Sequence, residues 1–198
     1  MILADALATH SIENETSVRA RLQEQYTTRL IEELSGGISR PRALPGVSLL
    51  LERLASQQSV TLGLLTGNFR ATARLKLEHF GLWHYFICGA FGDDAADRNG
   101  LVPIAIARAR ALGFEHATPE RTIVIGDTPH DVRCAQAGGA RSVGVATGSA
   151  SASSLEAAGA DVVFDDLSNV DDVLDAIGQL VASDPAMPID CTRLRRLR

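Results

Sequence analysis

Two carboxylates, Asp127 and Asp131, follow one apolar segment at a spacing that suits a metal ion. Asp127 comes after Gly126 at the end of a predicted strand over residues 122–125, and Asp131 lies four residues later in a predicted helix. Two carboxylates at one place repel each other, and a divalent cation relieves that repulsion. Hard oxygen ligands of this kind favour Mg²⁺. A structural interpretation stays open, in which Asp127 caps the helix and Asp131 interacts with its dipole.

A hydroxyl and an amide follow an earlier apolar segment in the run Thr66-Gly67-Asn68. The segment over residues 60–65 is a predicted strand, and Gly67 permits a close turn before a helix that begins near residue 70. Polar groups at the junction of a strand and a helix bind phosphate oxygens. The alternative is that Thr66 or Asn68 only caps the helix.

Both groups depend on strands and helices that alternate along the chain. The predicted strands cover residues 60–65, 85–88, 122–125, 142–146 and 161–164, and the predicted helices cover residues 47–56, 70–80, 101–112, 130–138, 152–158 and 168–181. This alternation predicts an α/β fold with a doubly wound, Rossmann-like parallel sheet. Ligands of such sheets bind outside the carboxyl ends of the strands, so we expect Thr66, Asp127 and Asp131 to face one cleft.

The N-terminal region predicts a separate helical part. Residues 17–34 carry their apolar side chains on one helical face, and two glycines and a proline-containing segment follow. We therefore predict three parts, with boundaries at 1–45, 46–183 and 184–198. The last part is rich in arginine and is expected to be a flexible, solvated basic tail.

Composition and charge exclude several classes of protein. The 198 residues include 19 lysines and arginines against 24 aspartates and glutamates, a net charge of −5, which argues against a nucleic-acid partner. No apolar run is long enough for a membrane span, and the first residues lack the pattern of an export signal. The three cysteines are widely spaced and form no zinc or disulfide motif. We expect a cytoplasmic protein, and the composition leaves its oligomeric state open.

The order and spacing of these motifs resemble those of the haloacid dehalogenase-like hydrolases. The Thr66-Gly67-Asn68 run is followed some sixty residues later by the Gly126-Asp127 pair and Asp131, and then by AQAGGARSVGV and AGADVVFDDL. The similarity covers about residues 45–180. The phosphoglycolate-phosphatase-like branch, whose members carry a helical cap, is the most similar.

The resemblance implies a Mg²⁺-dependent hydrolase of small phosphorylated metabolites that works through an aspartyl-phosphate. It implies that Thr66, with Gly67 and Asn68, binds the transferring phosphoryl group. It also implies that Asp127 ligates Mg²⁺ directly and that Asp131 supports the metal shell. These roles agree with the needs of phosphoryl transfer, which are positioning and charge neutralisation.

A cation belongs to the third motif of the family, where it is usually a lysine. The corresponding stretch of this chain has Arg98 and no lysine. We expect Arg98 to take its place among the catalytic and phosphate-binding residues, because a guanidinium neutralises carboxylate and phosphate together. In the alternative, Arg98 is exposed and pairs with Asp93, Asp94 or Asp97.

The first motif of the family has no counterpart in this sequence. That motif is a nucleophilic aspartate, with a second aspartate two residues later, at the end of the first strand. The only aspartate before Asp93 is Asp5, which lies in a helical setting. We therefore expect residues 1–45 to be the remnant of a partial helical cap with its linker. We further expect the nucleophile to lie upstream of this chain's start, which leaves the chain inactive by itself.

Two other functions stay open at the level of the sequence. One is a non-catalytic phosphate- or metal-binding relative of the same fold, which would use the same residues without chemistry. The other is a receiver-like signalling domain, which also uses a carboxylate–Mg²⁺ site, but the Gly-Asp-x3-Asp order and the cap-like N-terminal region disfavour it. The physiological substrate depends largely on cap residues, and the sequence does not name it.

Overall fold

The computed structural model describes residues 16–36, 43–95 and 97–182 of the chain. Its helices are α1 Thr16–Ser35, α2 Val47–Ala55, α3 Arg70–His79, α4 Leu101–Ala111, α5 Pro129–Ala137, α6 Ala152–Ala157 and α7 Val170–Ala182. Its strands are β1 Gly63–Leu65, β2 Cys88–Ala90, β3 Ile123–Gly126, β4 Arg141–Val145 and β5 Val162–Phe164. The predicted basic tail and part of the predicted linker lie outside the described residues.

Strands and helices alternate from β1 to α7, so the prediction of an α/β fold with parallel strands is confirmed. One predicted strand is wrong in position. Tyr85 lies in a 3₁₀ turn, Trp83–Tyr85, and β2 begins only at Cys88. The aromatic and β-branched residues before Cys88 favour a strand locally, but pairing with β1 starts where Gly63 lies opposite Cys88. Tertiary pairing therefore moves the strand three residues along the chain.

The parallel strands form two sheets rather than one continuous sheet. β1 pairs with β2, and β3, β4 and β5 pair in that order. In the part of the chain that the structure describes, neither β1 nor β3 has a strand on its other side. β1 and β3 are therefore edge strands, as are β2 and β5, and the edges of β1 and β3 are next to the two predicted motifs.

One buried cluster holds the two sheets together. It contains Ala90 of β2, Val124 of β3 and Cys134 of α5, all packed against the apolar face of α4. Leu101 and Val102 at the start of α4 are each 1% exposed, and the partly buried Leu65 of β1 packs on the same cluster. Burial of side chains of this size stabilises the fold by about 1.5–3 kcal/mol each. The ends of β1 and β3 are thus fixed to a common helix.

A second cluster covers the sheet of β3, β4 and β5. Leu50 and Leu54 of α2 pack with Val170 and Val173 of α7 around Val145 of β4. The apolar side chains of both helices recur three and four residues apart, so one face of each helix is buried. Helices α2 and α7 therefore hold the end of β4 in place through Val145.

The helix before the α/β part, α1, packs on α3. The ammonium of Lys76 in α3 lies 2.9 Å from the hydroxyl of Tyr26 in α1 and 5.5 Å from the centre of its ring. Leu30 of α1 is 6% exposed. Across the described residues, none of the helices combines the length and the apolar character that a membrane span needs.

Candidate functional site

The Thr66–Asn68 loop follows β1 directly and is organised by the threonine hydroxyl. Thr66 Oγ1 accepts hydrogen bonds from the backbone N–H of Asn68 at 3.1 Å and from its side-chain Nδ2 at 3.0 Å. A hydroxyl that accepts in this way keeps its own proton for a further acceptor. The loop therefore presents an O–H donor at the end of β1, in a half-buried position.

Helix capping does not explain Thr66 or Asn68. The residue that precedes α3 is Phe69, and no side chain caps it there. The N–H of Arg70 instead donates to Asp93 Oδ1 at 3.2 Å, across the gap between two loops. The hydroxyl and the amide are hydrogen-bonded to each other instead.

The turn after β2 supports this loop from the side. Gly92 N–H donates to the carbonyl of Asn68 at 2.8 Å. A Cβ atom on Gly92 would lie 2.1 Å from the carbonyl oxygen of Gly67, so the two backbones are in direct contact. Only glycine permits this approach without a shift of the backbone.

Asp127 lies at the carboxyl end of β3 with an exposed side chain. In the described part of the chain no hydrogen bond or ion pair engages its carboxylate. Its Oδ2 lies close to Gly148 in the loop after β4, where a Cβ atom would come within 2.2 Å. Asp127 also does not cap α5, because the residue before that helix is Thr128. The capping alternative for Asp127 is therefore wrong.

Asp131 is buried and its two carboxylate oxygens have different partners. Oδ2 accepts from the backbone N–H of Thr128 at 3.1 Å and from its hydroxyl at 2.7 Å, which closes the first turn of α5. Oδ1 forms an ion pair with Arg98. A Cβ atom on Gly126 would lie 2.3 Å from Cγ of Asp131, so the end of β3 presses directly on this carboxylate. The first-turn role that the structural interpretation gave to Asp131 is present.

Arg98 reaches Asp131 from the 3₁₀ turn that precedes α4. Its side chain is 24% exposed and that of Asp131 is 10% exposed, so the pair is largely removed from water. The Sγ of Cys134 donates to the carbonyl of Arg98 at 3.1 Å, and burial raises the pKa of this thiol, which keeps its proton on sulfur. The Nε of Arg98 is buried, and within the described residues it has no hydrogen-bond partner.

The alternative pairing of Arg98 with a nearby aspartate is wrong. Asp94 pairs with Arg108, Asp93 accepts from the Arg70 N–H, and Asp97 accepts from the Asn99 N–H. Arg98 pairs with the more distant Asp131. The structure thus brings together two predicted site residues, from the third and fourth motifs, that lie 33 positions apart.

The predicted site residues fall into two groups. Thr66, Gly67 and Asn68 form one group at the end of β1, and Arg98, Asp127 and Asp131 lie at the end of β3 and the start of α5. No hydrogen bond joins the groups among the residues that the structure describes. Their common attachment is the cluster around α4.

Sequence reasoning missed the turn over residues 91–94 and Gly148. The turn was missed because the predicted strand ended at Cys88 rather than Ala90, so the residues that follow the true end of β2 were not taken as a junction. The two adjacent aspartates after a glycine were the available signal. Gly148 lies three residues beyond β4 and carries no side chain that could mark it.

The carboxylates fit a single Mg²⁺ in part. Mg²⁺ binds through one or two carboxylates and otherwise keeps water or takes substrate phosphate. The free, exposed carboxylate of Asp127 suits a direct ligand, whereas both oxygens of Asp131 already accept hydrogen bonds. Within the described ranges, no group of three or more acidic, histidine or cysteine side chains could hold a metal ion. This donor set therefore offers one direct ligand and one supporting carboxylate.

Comparison with known proteins gives consistent matches. A family described as HAD-hydrolase-like matches residues 99–170. The match begins one residue after Arg98 and includes Asp127 and Asp131. A probable phosphatase, IndB of Dickeya dadantii, is 31% identical over 147 residues, which are 74% of this chain and 60% of that protein. A phosphoglycolate phosphatase of Agrobacterium fabrum is 31% identical over 145 residues, 73% of this chain and 59% of that protein. The chain thus spans about 60% of the length of these curated relatives.

A solved structure agrees with these matches. The crystal structure of a hydrolase from Pseudomonas syringae superposes with a TM-score of 0.65 at 26% identity, covering 84% of this chain and 74% of that one. The strand order, the two motifs at the strand ends and these matches all point the same way. The chain is similar to the haloacid dehalogenase-like hydrolases, and the relatives it resembles include phosphoglycolate phosphatases.

Proposed function

We propose that this chain supplies the phosphate- and metal-binding residues of a Mg²⁺-dependent phosphatase that hydrolyses small phosphate monoesters through an aspartyl-phosphate. The observation that carries the proposal is the carboxylate of Asp127 at the end of β3, which has no partner among the described residues and lies next to an Asp131 that Arg98 and Thr128 hold in place. A carboxylate without a protein partner beside an ordered ion pair suits a ligand site better than a structural one.

In this proposal the Thr66–Asn68 loop binds the phosphoryl group. The Thr66 hydroxyl has its acceptor side occupied by Asn68, so its proton points to an incoming oxygen. The Asn68 amide holds that hydroxyl in one orientation. Gly67 lets the backbone approach the ligand closely, because it has no side chain. Donors fixed in advance in this way stabilise charge with little reorganisation.

Asp127 would hold Mg²⁺, with Asp131 as a supporting carboxylate. When bound, Mg²⁺ supplies positive charge that neutralises the oxygens of the transferring phosphoryl group. Arg98 orients Asp131 through their ion pair, and it adds positive charge on the side of the site that faces α4. The residues of this chain would thus position the phosphoryl group and neutralise its charge. These two tasks account for most of the catalysis of phosphoryl transfer.

The nucleophilic aspartate is proposed to lie on a strand outside this sequence that pairs with both β1 and β3. The open edges of these strands support this, because N–H and C=O groups of a buried parallel sheet need partners on both sides. Ile125 of β3 is 37% exposed, which is high for an isoleucine. A strand between β1 and β3 would end beside both Thr66 and Asp127.

The experiment compares the chain with a version extended at its N-terminus by an apolar strand that ends in Asp-x-Asp. We expect the extended protein to hydrolyse an aryl phosphate with Mg²⁺, and the original chain to show no turnover. Thr66→Ala and Asp127→Asn should abolish the activity of the extended protein. Asp171→Asn, which removes an exposed carboxylate paired with Arg53 on another surface, is the matched control and should have no effect.

Two outcomes would contradict the proposal. Turnover by the original chain that depends on Asp127 would mean that another residue is the nucleophile. Binding of phosphate and Mg²⁺ without turnover by the extended protein, when circular dichroism shows it to be folded, would favour the non-catalytic relative.

A further inference from the structure

The turn after β2 is tied to α4 by a two-pronged ion pair. Asp94 Oδ2 and Oδ1 accept from the two terminal nitrogens of Arg108 at 2.5 and 2.6 Å. The Asp94 side chain is 19% exposed, so this bidentate pair is partly shielded from water. Such paired hydrogen bonds fix both the distance and the plane of the carboxylate.

The same two residues also hold the backbone of β2 and of the turn. Asp94 Oδ2 accepts from the N–H of Phe91 at 2.8 Å, and Arg108 donates to the carbonyl of Gly89 at 2.7 Å. The turn itself closes with a hydrogen bond from Asp94 N–H to the carbonyl of Phe91 at 3.0 Å. The end of β2 and the first residues after it are therefore fixed relative to α4.

The turn then contacts the Thr66–Asn68 loop through its backbone. Gly92 N–H donates to the Asn68 carbonyl at 2.8 Å, and Gly92 is in contact with Gly67. A shift of the turn would move Asn68, and Asn68 orients the Thr66 hydroxyl through two hydrogen bonds. A continuous series of close contacts thus joins Arg108 to the donor atoms of the loop.

We propose that Arg108 and Asp94 are positioning residues for the phosphate-binding loop, which they hold in its binding geometry through the Phe91–Asp94 turn. Neither residue touches the phosphate. The inference rests on the proposed phosphate-binding role of Thr66 and Asn68. It gives a role to the Arg108–Asp94 ion pair, which is not among the proposed phosphate- and metal-binding residues.

The test uses the full chain labelled with ¹⁵N and four variants. Arg108→Lys keeps the charge but loses the two-pronged geometry, and Asp94→Asn keeps the shape but loses the charge. Arg141→Lys and Asp161→Asn are the matched controls. They alter an ion pair of similar exposure, 45% and 25%, whose aspartate also accepts a backbone N–H, at the start of β4 and away from the loop.

The first readout needs no ligand. Amide hydrogen exchange at Gly92 should become faster in Arg108→Lys and Asp94→Asn by on the order of tenfold, relative to the exchange of a core amide such as that of Val143. The controls should leave this ratio unchanged. An unchanged ratio in the two test variants would overturn the proposal, because the pair would then contribute only to global stability.

The second readout is titration with inorganic phosphate, followed by the side-chain amide signal of Asn68. The dissociation constant should rise by on the order of tenfold in both test variants and stay constant in the controls. Faster Gly92 exchange with unchanged phosphate affinity would also overturn the proposal. If the unmodified chain gives no response to phosphate, the proposed phosphate-binding function fails, and the exchange ratio still decides whether the pair fixes the loop.

Discussion

At the scale of single residues, the two carboxylates of the site have different surroundings and should respond differently to substitution. Among the residues that the structure describes, the carboxylate of Asp127 has no partner, whereas that of Asp131 accepts three hydrogen bonds. Asp127→Asn should weaken Mg²⁺ binding more than Asp131→Asn, whose loss should be on the order of tenfold as for other supporting groups. Calorimetric titration of the extended protein measures both. No dependence of binding on Mg²⁺ would count against the metal assignment.

The same two substitutions should have the opposite order of effect on the free energy of unfolding, with the larger loss at Asp131. Asp131→Asn removes the charged partner of a largely buried arginine, and we expect a loss of about 1–3 kcal/mol in the free energy of unfolding. Asp127→Asn breaks no hydrogen bond among the described residues and should change the free energy of unfolding little. Urea unfolding of the two variants checks this. Equal losses would show that the surroundings of the two aspartates are alike.

Gly148 is predicted to matter through Asp127. A methyl group at this position would overlap Asp127 Oδ2, and the side chain would rotate away rather than the backbone shift. Gly148→Ala should therefore lower Mg²⁺ affinity with little change in the free energy of unfolding. Gly178→Ala is the control, because nothing lies within 4 Å of a methyl group there and the helix should gain about 0.5–1 kcal/mol. Calorimetry and urea unfolding on both variants give the comparison.

Asp94 should give stability a pH dependence in the acid range. The hydrogen bonds from Arg108, and then that from the Phe91 N–H, hold the pKa of this carboxyl below its ordinary value of 3.8. A lowered pKa means that the stabilisation is complete well above pH 3.8 and is lost as the pH falls through the pKa of the folded state. The difference in unfolding free energy between the original chain and Asp94→Asn should thus shrink as the pH falls below about 4. A difference that stays constant from pH 6 to pH 3 would contradict this.

At the scale of elements, the open edge of β3 predicts a specific pattern of hydrogen exchange. The carbonyl of Thr122 faces β4, where it accepts from Arg141 N–H, so the peptide groups of Ile123 and Ile125 face the other way. The Ile125 amide should exchange quickly in the chain alone and become protected in the extended protein. The Val143 amide, in the central strand β4, should be protected in both. An Ile125 amide that is already protected in the chain alone would argue against an open edge.

The positions of the elements could be predicted well wherever a periodic apolar pattern coincides with a stop signal. Helix α4, predicted over residues 101–112, is found at Leu101–Ala111, because Gly100 and Gly113 bound its apolar residues. β2 was misplaced because its location depends on pairing with β1, which no local pattern reveals. The positions of Thr66 and Asp127 at strand ends could be predicted, because each residue follows an apolar segment that forms a strand. The Arg98–Asp131 contact depends on how α4 and α5 pack, and no spacing along the chain predicts it.

At the scale of the whole molecule, the two sheets share one core but not one hydrogen-bonded ladder. The cluster around α4 includes residues from both sheets, such as Ala90 and Val124, so it fixes where the sheets lie without any pairing of β1 with β3. Because α4 fixes the positions of both sheets, a strand added between them could pair with β1 and with β3. We therefore expect the added strand to raise the free energy of unfolding as well as to supply the nucleophile.

The contact between α1 and α3 has a practical consequence, because Lys76 is the single lysine of the chain. An amine-directed reagent has one side chain to modify, and that side chain lies against Tyr26. Its rate of modification therefore reports whether α1 is docked on α3, the helix that starts directly after the Thr66–Asn68 loop. A fluorescent probe attached there would follow the approach of the helical segment to the α/β part without any engineered labelling site.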